Sequence, residues 1–261
     1  IEGIGTAVYL KEKGTIKNCL VVCPATLKTQ WQQEIEKFTN EDSIVIRTMD
    51  KKNTFESRKE LFDKVRTEKP FFTIINYELL IRREEIDKII LKTKTKTGKN
   101  KTKKVFGDYL DLNEIKDIGY DMIIIDEAHK MKNPDTQIAQ SIRQIQPKFR
   151  LLMTGTPIEK ELKNIFQLVD YIDPTILFKD YIDDFETRRK LFEEQYLLTR
   201  RDPFSNLDNE LENFGEKNTD ILTKKINPYM LRRKTEDVSD EMPKQTVKKI
   251  TVDFHPDQLK L

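Results

Sequence analysis

Tyr120-Asp-Met-Ile-Ile-Ile-Asp126-Glu127-Ala128-His129 is the stretch that decides the fold. Residues 122–125 are apolar without alternation, the pattern of a short strand buried on both faces. Two carboxylates follow at once, at the end of the strand where ligands gather in parallel α/β sheets. Further short apolar runs lie on both sides, at residues 20–23, 43–49, 71–75 and 150–153. Between them the periodicity turns amphipathic, predicting helices over residues 27–38 and 57–67. An opening helix over 1–13 is closed by Gly14, a residue suited to a C-cap. Short apolar strands alternating with charged helices predict an α/β fold, a parallel sheet covered by helices on both faces.

Two regions break the rhythm. Residues 92–104, KTKTKTGKNKTKK, hold neither an apolar nor an acidic side chain. They read as a solvated insertion, because nothing there offsets the entropy of ordering. A loop that touches DNA is the sharper alternative. Residues 181–225 are rich in Phe, Leu, Glu and Arg without β-branched runs, and are expected to form an inserted helical subdomain.

Composition removes several classes of function. With 37% hydrophobic and 35% charged residues the chain has the balance of a globular protein. No run approaches the roughly twenty apolar residues of a membrane span, and no signal-peptide pattern opens the chain, so an intracellular location is expected. Lys and Arg number 47 against 45 Asp and Glu, so net charge makes no case for nucleic acid and only local clusters can. Cys19 and Cys23 would share one face of a strand, but zinc needs two more ligands and both histidines are far away in sequence. Buried structural thiols are expected.

The acidic pair carries the chemistry. Hydrolysis of a nucleoside triphosphate uses one carboxylate to hold Mg²⁺, usually through water, and a second group to orient or deprotonate the attacking water. Asp126 suits the first role and Glu127 the second, while His129 can report the γ-phosphate state to a neighbouring element. A bare Asp-Glu pair would be no more than a solvated strand end. The apolar strand before it and Ala-His after it lend it weight.

In company with other segments, this stretch resembles the second motif of superfamily-two helicases, and Lys130-Met-Lys132-Asn133 resembles its Swi/Snf-like branch. Leu20-Val-Val-Cys-Pro24-Ala-Thr-Leu-Lys-Thr-Gln-Trp31-Gln-Gln-Glu34 resembles the family's loop and helix after the first helix. Ile75-Asn76-Tyr77-Glu78 resembles its next DNA-facing loop, and Leu152-Met-Thr154-Gly155-Thr156-Pro157-Ile158 its coupling motif. Residues 165–174 match the helix and turn after that motif, and Leu231-Arg232-Arg233-Lys234-Thr-Glu-Asp237-Val238, with Met242-Pro243-Lys244, the signature closing the first lobe. The resemblance implies a RecA-like core over residues 1–175, a helical insertion over 176–228, a lobe-closing segment over 229–246, and the start of a linker to a second RecA-like lobe over 247–261.

It also implies the first motor lobe of a DNA-dependent ATPase that moves along double-stranded DNA, with ATP and Mg²⁺ as cofactors. His129, Thr154, Gly155 and Thr156 would couple the nucleotide to DNA. Thr26 and Lys28, at a loop-to-helix junction, would meet a DNA phosphate, as would Asn76, Tyr77 and Lys132. Plainer readings stand beside these: Thr26 as a helix N-cap, Asn76 and Tyr77 as a strand-ending turn, Arg232, Arg233 and Lys234 as a solvated helix end, and Trp31 as a core residue. A DEAH-type RNA helicase lobe and a non-catalytic DNA-binding scaffold are the alternatives to the motor.

Glu2-Gly3-Ile4-Gly5-Thr6 imitates the family's phosphate loop but lacks its lysine. A loop there would leave a helix of barely two turns. The chain is therefore expected to begin just after the phosphate loop, and to be inactive by itself.

Overall fold

The computed structural model describes residues 1–47, 56–81, 84–85, 105–106, 110–155, 162–181, 184–201 and 211–232. The basic stretch 92–104, Thr156, Arg233, Lys234 and the linker region 247–261 lie outside the described residues. In chain order the first elements are α1 (Glu2–Glu12), β1 (Cys19–Cys23), α2 (Lys28–Phe38), β2 (Ser43–Val45), α3 (Glu56–Glu68), β3 (Phe72–Asn76) and α4 (Tyr77–Leu80). There follow β4 (Glu84–Glu85), β5 (Val105–Phe106), α5 (Leu110–Ile118), β6 (Met122–Asp126), α6 (Gln137–Arg143), β7 (Phe149–Met153) and α7 (Lys163–Ile172). The last are α8 (Phe185–Tyr196), β8 (Leu197–Arg201), β9 (Leu211–Glu216) and α9 (Thr219–Ile226).

The main sheet is parallel, in the order β2-β3-β1-β6-β7. β1 and β3 are buried at every position and β6 at all but its last, as unalternating apolar runs require. Successive side chains then sort onto two faces. Leu20, Val22, Ile75, Ile123 and Ile125 pack with Phe62 of α3, Ile115 of α5 and Ile142 of α6. Cys19, Val21, Cys23, Ile74, Met122 and Ile124 pack with Ile4 and Ala7 of α1 and Trp31 and Ile35 of α2. Both cysteines are free and buried, and burial pushes the Cys23 thiol up to about 12 and that of Cys19 higher still. Among the described residues no group of metal-ligating side chains could enclose an ion, and no helix is long and apolar enough to cross a membrane.

Gly3 and Gly5 lie within α1, where Gly5 N–H donates to the Ile1 carbonyl at 2.9 Å. The Gly3–Thr6 stretch is thus helix, not a phosphate loop. Gly3 packs closely: a Cβ there would stand 3.1 Å from the Met153 sulfur. Gly14, at φ +69, ends the helix region as expected.

A second, smaller core stands on α7. Leu168 and Tyr171 of this helix face the sheet, whereas Ile165, Phe166 and Val169 meet Phe192, Tyr196, Leu222 and Ile226. Arg188 of α8 grips Asp170 of α7 through Nε at 2.6 Å and Nη2 at 3.1 Å, with both side chains buried. Among its described residues the expected helical insertion holds two α-helices, α8 and α9, and a strand pair between them. Between α8 and α9, β8 pairs antiparallel with β9, with a register shift between Leu198 and Thr199. Lacking β-branched runs, the segment owes this hairpin to tertiary pairing rather than to propensity.

Candidate functional site

The strand register assembles the site. Cys23 pairs with Asn76, and Asp126 with Met153, so the carboxyl ends of β1, β3, β6 and β7 stand at one level. The loops singled out after β1, β3, β6 and β7 leave from that edge.

Asp126 ends β6 half-buried, and each part of it has a donor. Its Oδ1 accepts the Glu127 backbone N–H at 3.0 Å, and its Oδ2 accepts Trp31 Nε1–H at 2.9 Å. Its main-chain carbonyl accepts the Tyr77 hydroxyl at 2.5 Å. Burial, and then the charge of Asp126, pushes the Tyr77 phenol far above its ordinary value, so it stays a donor. Glu127 holds a left-handed backbone, φ 56 and ψ 48. For a residue with a Cβ this costs about 1–2 kcal/mol, and such strain collects at functional turns. The conformation breaks the strand sharply into the one-turn 3₁₀ helix Ala128–Met131.

Glu127 Oε2 stands 3.1 Å from His129 Nδ1, and the same nitrogen is 3.4 Å from Thr154 Oγ1 beyond β7. His129 therefore lies between the Glu127 carboxylate and the loop after β7. Gly155 is exposed in that loop.

The residues expected on DNA divide. Tyr77 is fully buried and its hydroxyl is spent on Asp126, so its side chain reaches no phosphate. Asn76 is buried too, accepting from Lys28 Nζ at 2.8 Å and donating to Glu78 at 2.7 Å. Lys28 also donates to the Ile46 carbonyl at 2.9 Å, and its burial holds the ammonium below the ordinary lysine value. Partial burial pushes the Glu78 carboxyl up, but Asn76, its own backbone N–H and then Lys130 and Lys28 outweigh that and leave it lowered. Lys28, Asn76 and Glu78, with Lys130 Nζ at 3.9 Å from Glu78, thus tie the loops after β1, β3 and β6 to one another. These are internal ties, and of the two readings of Asn76 and Tyr77 they favour the strand-ending turn over the nucleic-acid contact. Thr26 is exposed and makes no side-chain cap, and Lys132 is half-exposed. Arg232 is exposed.

A cavity of about 250 Å³ opens beside Asp126, lined also by Ile4, Gln30, Trp31, Glu34 and Met153. Its ionisable lining is acidic, so it repels a bare triphosphate and favours a cation. The donors suit Mg²⁺, a hard ion commonly held by one or two carboxylates together with water and substrate phosphates rather than by a closed protein cage. The sequence placed Trp31 in the core, and it is there, 8% exposed. What sequence reasoning missed is where its N–H goes. The only advance signal was general: a buried indole N–H finds a partner.

The SNF2-related domain family matches residues 2–261. The human DNA repair and recombination protein RAD54B is 28% identical over 232 residues, covering 88% of this chain and 21% of that protein. The chromodomain-helicase-DNA-binding protein 1-like of Danio rerio is 24% identical over 228 residues, covering 87% of this chain and 17% of that protein. The chain thus spans about a fifth of the length of these relatives. Among solved structures, the Sulfolobus solfataricus SWI2/SNF2 ATPase core in complex with dsDNA aligns with a TM-score of 0.59 at 20% identity, over 91% of this chain and 38% of that one. At that identity the likeness speaks for the RecA-like fold.

Proposed function

The chain belongs to the SNF2-related domain family, and from that premise we propose that it is the first motor lobe of an ATPase that moves along double-stranded DNA. The observation that carries the reading is the acidic turn, where Asp126 and Glu127 leave β6 side by side and His129 links Glu127 to Thr154. Asp126 would hold Mg²⁺ through water, and bound Mg²⁺ would neutralise charge on the β- and γ-phosphate oxygens. Glu127, partly exposed, would orient the attacking water and take its proton on a carboxylate oxygen. His129 Nδ1 steadies that carboxylate and passes its position to Thr154 and the loop with Gly155 and Thr156.

None of the eight glycines is followed by Lys-Thr or Lys-Ser, so the part of the motor read here is the carboxylate side of the nucleotide site. DNA contact falls to Thr26, Lys132 and backbone N–H groups at the carboxyl edge of the sheet, with Lys28 bracing them from below. The archaeal core that shares the fold was solved on double-stranded DNA, which supports this choice of substrate. The test is Glu127→Gln in the full-length protein. ATP binding should stay within a few-fold while DNA-stimulated turnover falls about 10²- to 10⁴-fold, the worth of a positioned general base. Turnover within a few-fold of the unaltered protein would refute the assignment.

A further inference from the structure

We propose that Trp31 is a positioning residue of the nucleotide site, its indole N–H setting the orientation in which the Asp126 carboxylate meets a hydrated divalent cation. The inference rests on the reading of Asp126 as the Mg²⁺-side carboxylate and goes one shell outward from it.

Several observations converge. Trp31 is the one tryptophan of the chain, and its single donor is spent on Asp126 Oδ2 at 2.9 Å, across 95 positions of sequence. It belongs to the core on that face of the sheet and also forms part of the wall of the cavity onto which Asp126 opens. The other carboxylate oxygen takes a main-chain N–H from Glu127 at 3.0 Å, a donor that cannot swing away. The two donors together define one carboxylate plane. Remove the indole N–H and the carboxylate can rotate about its Cα–Cβ and Cβ–Cγ bonds, held by one bond alone. Each oxygen keeps a second lone pair beyond the one its donor occupies, and that is what a cation or its water shell uses. Partners of this kind, one step behind a ligand, typically change metal affinity or activity by 10- to 100-fold when removed.

Packing alone predicts something different. A tryptophan that only filled space would lower stability on truncation and leave the cation requirement untouched. Trp31 sits on α2, the helix that begins at Lys28 beside the Asn76 tie. A shift of α2 on DNA contact would therefore be felt first at Asp126.

The experiment measures binding of a fluorescent ATP analogue to the full-length protein across a Mg²⁺ titration, with steady-state turnover in parallel. Trp31→Phe keeps an aromatic ring and deletes the N–H. Benzothienylalanine at position 31, introduced as a non-natural residue, keeps the bicyclic shape and also lacks the donor, so it stands in should the Phe variant fold poorly. We expect the Mg²⁺ concentration for half-maximal binding to rise about 10-fold in both, with binding and turnover largely restored at saturating Mg²⁺. An unchanged Mg²⁺ dependence in a folded variant overturns the proposal. So does a loss that saturating Mg²⁺ fails to restore, because that is the mark of a packing residue. Asp126→Asn separates the two levels: if it abolishes Mg²⁺-dependent binding while the position-31 variants behave normally, only the role of Trp31 falls. If Asp126→Asn itself changes nothing, the nucleotide reading falls with it.

Discussion

Two carboxylates of this molecule, Asp126 at the edge of the sheet and Asp170 on α7, have similar surroundings on paper and opposite purposes. Each accepts two hydrogen bonds through its side chain. Asp170 takes both from the Arg188 guanidinium, at 2.6 and 3.1 Å, with both partners about 5% exposed. Its charge is neutralised where it stands, and the guanidinium donates further to the Tyr181 carbonyl at 2.6 Å. Asp126 takes its two from neutral donors, an indole and a backbone amide. Its charge is oriented, and among the described residues no cation is paired with it beside the cavity. The first arrangement fastens α8 to α7. On the proposed reading, the second keeps a negative charge for Mg²⁺. A carboxylate's partners, more than its burial, show whether it belongs to the scaffold or to the chemistry.

Stability measurements sharpen that contrast most. Asp170→Ala strands a buried guanidinium and should cost about 3–5 kcal/mol, seen as a lowered denaturant midpoint, whereas Asp126→Ala strands only neutral donors and should cost about 1–3 kcal/mol. Equal losses at the two sites would erase the distinction. Replacing Asp170 and Arg188 together by Leu and Met should recover most of the loss, because no charge is then left unpaired.

A smaller effect is expected at Tyr77. Tyr77→Phe deletes the hydroxyl that holds the Asp126 carbonyl and should lower stability by about 1 kcal/mol, the usual net worth of one such bond. If DNA affinity fell several-fold with stability unchanged, Tyr77 would be a DNA contact after all, and the buried position would have misled.

The smallest effect is also the most diagnostic. Glu127→Gly removes the Cβ that makes φ 56 costly, while glycine adds entropy to the unfolded chain. Melting temperature should hold or rise by an amount worth at most about 1 kcal/mol, even as turnover is lost. A clear drop in melting temperature would mean that the Glu127 side chain is structural, and that the turn belongs with Asp170 rather than apart from it.

Much of the architecture was readable in advance because burial on both faces leaves a local mark. The runs that became β1, β3 and β6 are apolar at consecutive positions, and Asp126-Glu127 ended its strand where a parallel sheet collects ligands. Gly14 at the close of α1 and the unsuitability of the Gly3–Thr6 stretch as a loop were local too. β2 proved shorter than its apolar pattern, and residues 197–216 contain a hairpin where helix was expected. In the hairpin, which lacks β-branched runs, short-range propensity was weak and neighbours decided.

What the sequence by itself determined is therefore the class of fold and the identity of the charged pair, since periodicity and residue chemistry suffice for both. The tertiary structure alone decided which groups hold that pair. Trp31, Tyr77 and Asp126 lie 46, 49 and 95 positions apart and meet because parallel register sets the ends of β1, β3 and β6 at one level. Asn76 and Tyr77 turned inward for the same reason: at that level a polar side chain finds Lys28 or Asp126 closer than solvent. Patterns along a chain record whether a residue is buried. A hydrogen bond between distant residues needs distance and direction, and only the packed sheet supplies those.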